Sequence, residues 1–217
     1  VCDLEEETCM INDCDTCLDG KLFDQNIASK VGHDNLDKKI TWSQWTAKET
    51  GYLEKVTTTG STRDAIQQLC DLLPQFKWHA FLKERQSRAY EGDMACAQME
   101  DSDSCLVQMD FSENYSALYQ DEIASAYFGQ KQITVYTVTM WYRKQTVSLI
   151  LTSDVREHDK DTVAAFTSTI LNIVESEFPG VASVIIWTDG PASQYKNKFV
   201  FALLPHLKKL HGVNIEW

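Results

Sequence analysis

Two aspartates stand where their side chains could do chemistry. Asp110 closes the run "CLVQMD", and Asp189 follows the run "SVIIWT". Both runs read as short strands, the second continuous and apolar, as in strands buried on both faces. If the two strands lie side by side and parallel, both carboxylates emerge at one carboxyl edge of the sheet, where open α/β sheets place their sites. Two carboxylates meeting there without a basic partner repel, and their ionised forms are costly. A divalent cation removes that cost. Mg²⁺ takes hard oxygen ligands, typically one or two carboxylates plus substrate phosphate. Two such ions about 3.5–4 Å apart can activate a nucleophile and stabilise a leaving oxygen in in-line phosphoryl transfer. The plain alternative for Asp189 is turn chemistry, since Asp-Gly after a strand is common; Asp110 could equally just end its strand.

A second set of reactive residues opens the chain. Cys2, Cys9, Cys14 and Cys17 are spaced C-x6-C-x4-C-x2-C. Structural zinc takes four Cys or His ligands in a tetrahedron, often as close pairs. Cys14 and Cys17 make such a pair, Cys2 and Cys9 a looser one, and His33 is a spare ligand. The alternative is a set of reduced, unliganded thiols. Seven cysteines in all, an odd number without a secretory signal, argue against a full disulfide framework. Cys70 and Cys105 read as small core hydrophobes.

Periodicity supplies the elements that would position these residues. Residues 1–24 are cysteine-rich and acidic with little pattern. "KKITWSQWTAKE" reads as a short strand, and "TTTG" at Thr57–Gly60 as a turn. Ser61 with Asp64 forms a capping box ahead of Ile66, Leu69, Cys70 and Leu73 at helical spacing. Pro74 divides this helix from a second over Gln75–Gln98, so that 61–98 read as a helical hairpin. From Cys105 onward the reading is three strands, "CLVQMD", "QITVYTVTMWY" and "QTVSLILT". A helix led by Val163, Phe166 and Ile170 follows, then the strand before Asp189. A helix with Tyr195, Phe199, Leu203, Leu207 and Leu210 on one face, kinked at Pro205, precedes a last strand, "VNIEW". His158 and Asp159 precede the first of these helices, with Asp159 its expected cap. Gln194, Tyr195, Lys196 and Lys198 are expected to open the second, where lysines at a helix N-terminus could meet phosphates; a solvated lysine face is the simpler reading. Trp42, Trp45, Trp78 and Trp141 read as core or domain-contact residues rather than base-stacking ones.

The order β, β, β, α, β, α, β defines an α/β fold with a mixed sheet: a three-strand meander, then alternating helix and strand. The expected division is a Cys-rich, candidate zinc-binding segment at 1–38, a mainly helical region at 39–100, and the α/β core at 105–217. The 217 residues, 43% hydrophobic, suffice for one sizeable core. A net charge of −12 disfavours non-specific attraction to nucleic acid, though a local basic patch could remain. No stretch is apolar enough to span a membrane. A first residue that is not Met, and an end inside a strand, lead us to expect a fragment.

The words "DFSENY" (Asp110–Tyr115) and "WTDGPASQYKNK" (Trp187–Lys198), taken with the element order, resemble the ribonuclease H-like fold of DDE-type transposases and integrases. Within that superfamily they are similar to transposon-derived eukaryotic proteins. Those carry the first carboxylate in a D-[FY]-x-E-N-Y word and the second in a W-[ST]-D-G-x-x-x-Q-Y-K word. The likeness covers residues 105–217 well and the remainder loosely. It implies that Asp110 and Asp189 are two of three acids binding Mg²⁺ or Mn²⁺ for cleavage and strand transfer of DNA, in a nuclear protein that works as a homo-oligomer. The third acid normally follows the fifth strand, so it is expected beyond Trp217 or is absent, leaving this stretch catalytically incomplete. Glu113 and Asn114 are accessory candidates beside Asp110, or structural hydrogen-bonders, as Lys196 and Lys198 are beside Asp189. The competing reading is a domesticated, catalytically inactive module that keeps the fold for contact with DNA or protein.

Overall fold

Runs of β-branched and aromatic residues that alternate between buried and exposed build strands, and this chain uses them in two places. In a computed structural model, residues 3–11, 13–17, 21–48, 51–116 and 132–217 are described, without the side chains of 21–24. The architecture is mixed α/β, with a Cys-rich N-terminal segment, and the chain forms two compact units, Val1–Ser87 and Arg88–Trp217.

The first unit holds α1 (Glu7–Met10), α2 (Lys21–Val31), a hairpin of β1 (Lys39–Ala47) and β2 (Leu53–Ser61), and the start of α3 (Thr62–Ala97). Thr57–Gly60 is not a turn but part of β2. Its threonines suit an extended chain, and their hydroxyls pair across the hairpin: Thr57 with Ser43 and Thr59 with Thr41, each at 3.0 Å. The capping box forms as expected. The Asp64 N–H donates to Ser61 Oγ at 3.1 Å, and the Ser61 N–H donates back to Asp64 Oδ2 at 2.9 Å. The expected helical hairpin is instead one helix that runs through Pro74. Proline removes one N–H from the ladder, and the helical residues on both sides carry the segment past it. Trp45 is exposed and Trp42 half-buried, with its indole N–H donating to Gln68 Oε1.

The second unit is organised by a six-stranded mixed sheet. Its elements are β3 (Ser104–Phe111), β4 (Tyr115–Ser116), β5 (Gln132–Tyr142), β6 (Gln145–Ser153), α4 (Lys160–Glu177), β7 (Ser183–Trp187), α5 (Lys198–His211) and β8 (Asn214–Glu216). The strand order is β4-β5-β3-β7-β8, with β6 on the other edge of β5. β5 runs antiparallel to β3, β4 and β6, whereas β3, β7 and β8 are parallel to one another. Cys105, Val107 and Met109 point from β3 into a core with Val138 and Met140 of β5, Val184 and Ile186 of β7, and the apolar stripe of α4. Burial pushes the Cys105 thiol up to about 12, so it is inert packing; Cys70 of α3 is only half-buried. On α5 the buried face is Val200 and Leu207, while Phe199 and Leu210 are exposed, a rotation from the expected stripe.

Asp159 caps α4, its side chain accepting from the N–H groups of Asp161 and Thr162 at 3.1 and 3.0 Å. These bonds, that from Thr162 first, hold its carboxyl below the usual range. The cap is therefore at full strength above the unfolded carboxylate value and is lost as the pH falls through the lower folded one. Asp159→Ala should cost about 1 kcal/mol at pH 7 in urea unfolding. The difference from the parent should close as the pH drops below about 4.

Candidate functional site

The pairing of β3 with β7 decides where the two aspartates lie. Ser104 pairs with Ser183, and the parallel register continues to Gln108 with Trp187. Asp110 is two residues beyond Gln108 and Asp189 two beyond Trp187, just past the end of β7, so both carboxylates lie at the carboxyl ends of neighbouring parallel strands. The last turns of α3 secure the row beneath them. The Tyr90 hydroxyl donates to Gln108 Oε1 at 2.6 Å, and the Trp187 indole N–H donates to Asp93 Oδ2 at 2.9 Å. Partial desolvation, then the negative charge of Asp189, raises the pKa of Asp110 against the opposing pull of the Phe111 N–H.

The turn after β7 brings a cation to the same place. Gly190 has φ +78°, and a Cβ there would lie 2.7 Å from Lys196 Nζ and 2.5 Å from its Cε. Glycine thus meets two needs at once, a left-handed backbone and the close passage of the Lys196 side chain. The expected helix does not begin here. Gln194, Tyr195 and Lys196 all direct their N–H groups to the Pro191 carbonyl, at 2.8–3.3 Å, in a series of turns. The helix starts at Lys198, because the Asn197 side chain accepts from the N–H groups of Phe199 and Val200, each at 3.1 Å. Lys198 is exposed, its ammonium 5.2 Å from the Phe199 ring.

Under the carboxylates lie two tyrosines that strand and helix patterns marked only as core. Tyr136 is 0% and Tyr195 1% exposed, and among the described residues neither hydroxyl has a partner in full hydrogen-bond geometry. Burial raises both pKa values first, and the charges of Asp110 and Asp189 raise both further. The two hydroxyls face one another, and that of Tyr195 also faces the Phe111 backbone, both approaches being looser than full hydrogen-bond geometry. Two weakly bonded phenols therefore sit within electrostatic reach of both carboxylates. The Q-Y-K word was the only sequence signal for Tyr195; nothing set Tyr136 apart from its strand neighbours.

The residues after Asp110 have separate duties. The Asn114 side chain lies 2.8 Å from His158 Nε2 and 3.1 Å from Thr134 Oγ1, and the His158 ring stacks on Phe111 at 4.2 Å. Asn114 and His158 thus tie the loop after β3 to β5 and to the approach to α4. Glu113 is exposed. Among the described residues, neither Glu113 nor any other His, Cys, Asp or Glu joins Asp110 and Asp189 in a group of three ligands within 4.8 Å of one another.

Such a group does form in the first unit. The ligand atoms of Cys9, Cys14 and Cys17 lie within 4.8 Å of one another and could hold a metal ion such as zinc. Cys2 lies outside the described residues, and His33 does not join the group. The Lys77 ammonium of α3, in a buried residue, donates to the Cys9 carbonyl at 2.9 Å.

Taken together, this is a mixed α/β protein with an acidic pair at the end of two parallel strands and a separate cysteine group. It belongs to the family described as a domain of unknown function (DUF8701), whose model matches residues 94–217. A second domain of unknown function (DUF8700) matches residues 1–77. No curated protein and no solved structure matches the chain. Among the described residues no helix is long and apolar enough to cross a membrane.

Two stability measurements probe the site without any ligand. Because the folded pKa of Asp110 lies above its unfolded value, ionisation costs stability. That cost is absent below the unfolded value, near pH 4, grows through the folded pKa and is constant above it. Asp110→Asn should therefore melt higher than the parent at pH 7 in EDTA, with the gap closing toward pH 4; a gap independent of pH would refute the assignment. Tyr195→Phe removes a buried hydroxyl that has no partner in full hydrogen-bond geometry among the described residues, so its urea midpoint should equal or exceed the parent's, where loss of a well-bonded hydroxyl would lower stability by about 1 kcal/mol.

Proposed function

We propose that the second unit carries the carboxylate pair of a DDE-type, metal-dependent polynucleotidyl-transfer centre on a ribonuclease H-like sheet. The observation that carries this reading is the placement of Asp110 near the end of β3 and Asp189 just past the end of the neighbouring parallel β7, close enough that, after partial desolvation, the charge of Asp189 raises the pKa of Asp110. Strand order supports the fold: along β6-β5-β3-β7-β8 the first strand is central, with its antiparallel meander on one side and parallel strands on the other. Two adjacent hard-oxygen ligands fit Mg²⁺ or Mn²⁺ better than a soft metal. Bound there, such an ion would polarise a phosphate and activate the attacking oxygen.

The chain's own residues have definite parts in this reading. Asp110 and Asp189 hold the cation from the ends of rigid strands. Lys196, kept beside Asp189 by its passage over Gly190, and Lys198 offer positive charge to a DNA backbone that the net charge of −12 would otherwise repel. Asn114 and His158 fix the loop that follows Asp110. The setting that goes with this reading is a nuclear, oligomeric protein acting on transposon or host DNA.

One observation favours a second reading, a non-catalytic DNA- or protein-binding module: no third acid completes the pair among the described residues. A nicking assay on supercoiled DNA with Mg²⁺ or Mn²⁺ separates the two. Catalysis predicts metal-dependent nicking that Asp110→Asn and Asp189→Asn each reduce by more than the roughly 10–100-fold typical of losing an outer-shell partner. Variants that nick as well as the parent would clear these carboxylates of the role. A parent that binds DNA but leaves it intact would support the binding module.

A further inference from the structure

We propose that Cys9, Cys14 and Cys17 hold one zinc ion as a structural staple of the first unit, with the Lys77 ammonium as its counter-charge. The inference is independent of the carboxylate pair. It begins from how little else holds this unit together. Among its described residues only five apolar side chains are buried, Cys9, Met10, Leu36, Ile66 and Phe81. Small units with thin cores depend on staples, either disulfides or metals.

The geometry selects the kind of metal. C-x4-C-x2-C, read from Cys9 to Cys17, is also the spacing of plant-type [2Fe–2S] ligand runs. A two-iron cluster spreads its thiolates over two centres. A single tetrahedral zinc, with Zn–S bonds of about 2.3 Å, puts its sulfurs about 3.8 Å apart. Three sulfurs mutually within 4.8 Å match one ion. Thiolates also favour zinc over the oxygen-seeking Mg²⁺.

Charge then explains Lys77. Binding converts three thiols and Zn²⁺ into a trithiolate complex of net charge −1, releasing three protons. Lys77 is only 9% exposed, and its ammonium is fixed 2.9 Å from the Cys9 carbonyl oxygen. An anionic metal centre beside the Cys9 carbonyl that this ammonium bonds would be stabilised by its positive charge. The lysine extends from α3, so ion and helix secure the N-terminal segment from both sides. Cys9 is itself buried, as a structural rather than a reactive thiol would be.

The test is elemental analysis of the full chain grown with zinc and iron both supplied. We expect about one zinc per chain and no iron or acid-labile sulfide, with zinc lost in Cys14→Ser and Cys17→Ser. Lys77→Met should still saturate with one zinc but lose it to a competing chelator about 10-fold more readily, as with other outer-shell changes. Should the cysteine variants precipitate, Co²⁺ added to the metal-stripped parent reads the site directly, and the intense visible spectrum of tetrahedral thiolate coordination is expected. Iron with sulfide, zinc below about a tenth of an equivalent, or a pale octahedral Co²⁺ spectrum would each overturn the zinc site. Unchanged chelator competition in Lys77→Met would overturn the counter-charge.

Discussion

The parallel pairing of β3 with β7 is the contact on which the rest of the second unit depends. Five consecutive residue pairs, from Ser104–Ser183 to Gln108–Trp187, fix it. Because side chains alternate along a strand, a slip of one residue would send Cys105, Val107 and Met109 to the wrong face and set Asp110 level with Thr188 or Gly190. The slip is blocked from both faces. One side of β3 is sealed under the stripe of α4, and on the other Gln108 and Trp187 are hydrogen-bonded to Tyr90 and Asp93. The packing that stabilises the sheet is thus the packing that brings the carboxylates together, and neither can be relaxed without the other.

That arrangement runs against local stability at its open end. Partial desolvation and the charge of Asp189 raise the pKa of Asp110, and two phenols nearby are buried without a partner in full hydrogen-bond geometry among the described residues. Each such hydroxyl forgoes on the order of 1–3 kcal/mol of solvation. A glycine in the left-handed region and a lysine laid across it occupy the same turn. The core below the site, from Val107 and Val138 to Ile170 and Val174, is deep enough to sustain this cost.

Much of this was legible in the sequence because the second unit follows local rules. "QITVYTVTMWY" and "SVIIW" form β5 and β7 over almost the residues their composition marks, and Asp159 caps α4 as its position requires. The failures have physical causes. Thr57–Gly60 has the look of a turn, yet three successive threonines pair well across a hairpin. Pro74 looks like a stop, but a helix long on both sides absorbs one missing N–H. The start of α5 was misplaced because Asn197, a cap only in its folded setting, carries no apolar period. The placement of Asp110 and Asp189 needed the pairing of strands 79 residues apart, from Ser104–Ser183 onward, which no local pattern records. The tyrosine pair depends on the same long-range pairing.

The first unit is held by different means, which is why its sequence was harder to read. The hairpin of β1 and β2 leaves Trp45, Leu53 and Val56 exposed. With little hydrophobic burial to set a pattern, specific polar contacts define the shape: hydroxyl pairs across the hairpin, the Ser61–Asp64 capping box, and Lys77 on the Cys9 carbonyl. Each such contact contributes only about 1 kcal/mol, so no one of them supplies the cooperativity of a core. A metal ion bonded to several side chains does, because its ligands form together or not at all. Charge fits the same division. In the proposed site three thiolates, a zinc ion and the Lys77 ammonium would sum to no net charge, which would let a polar centre serve where buried apolar side chains are few.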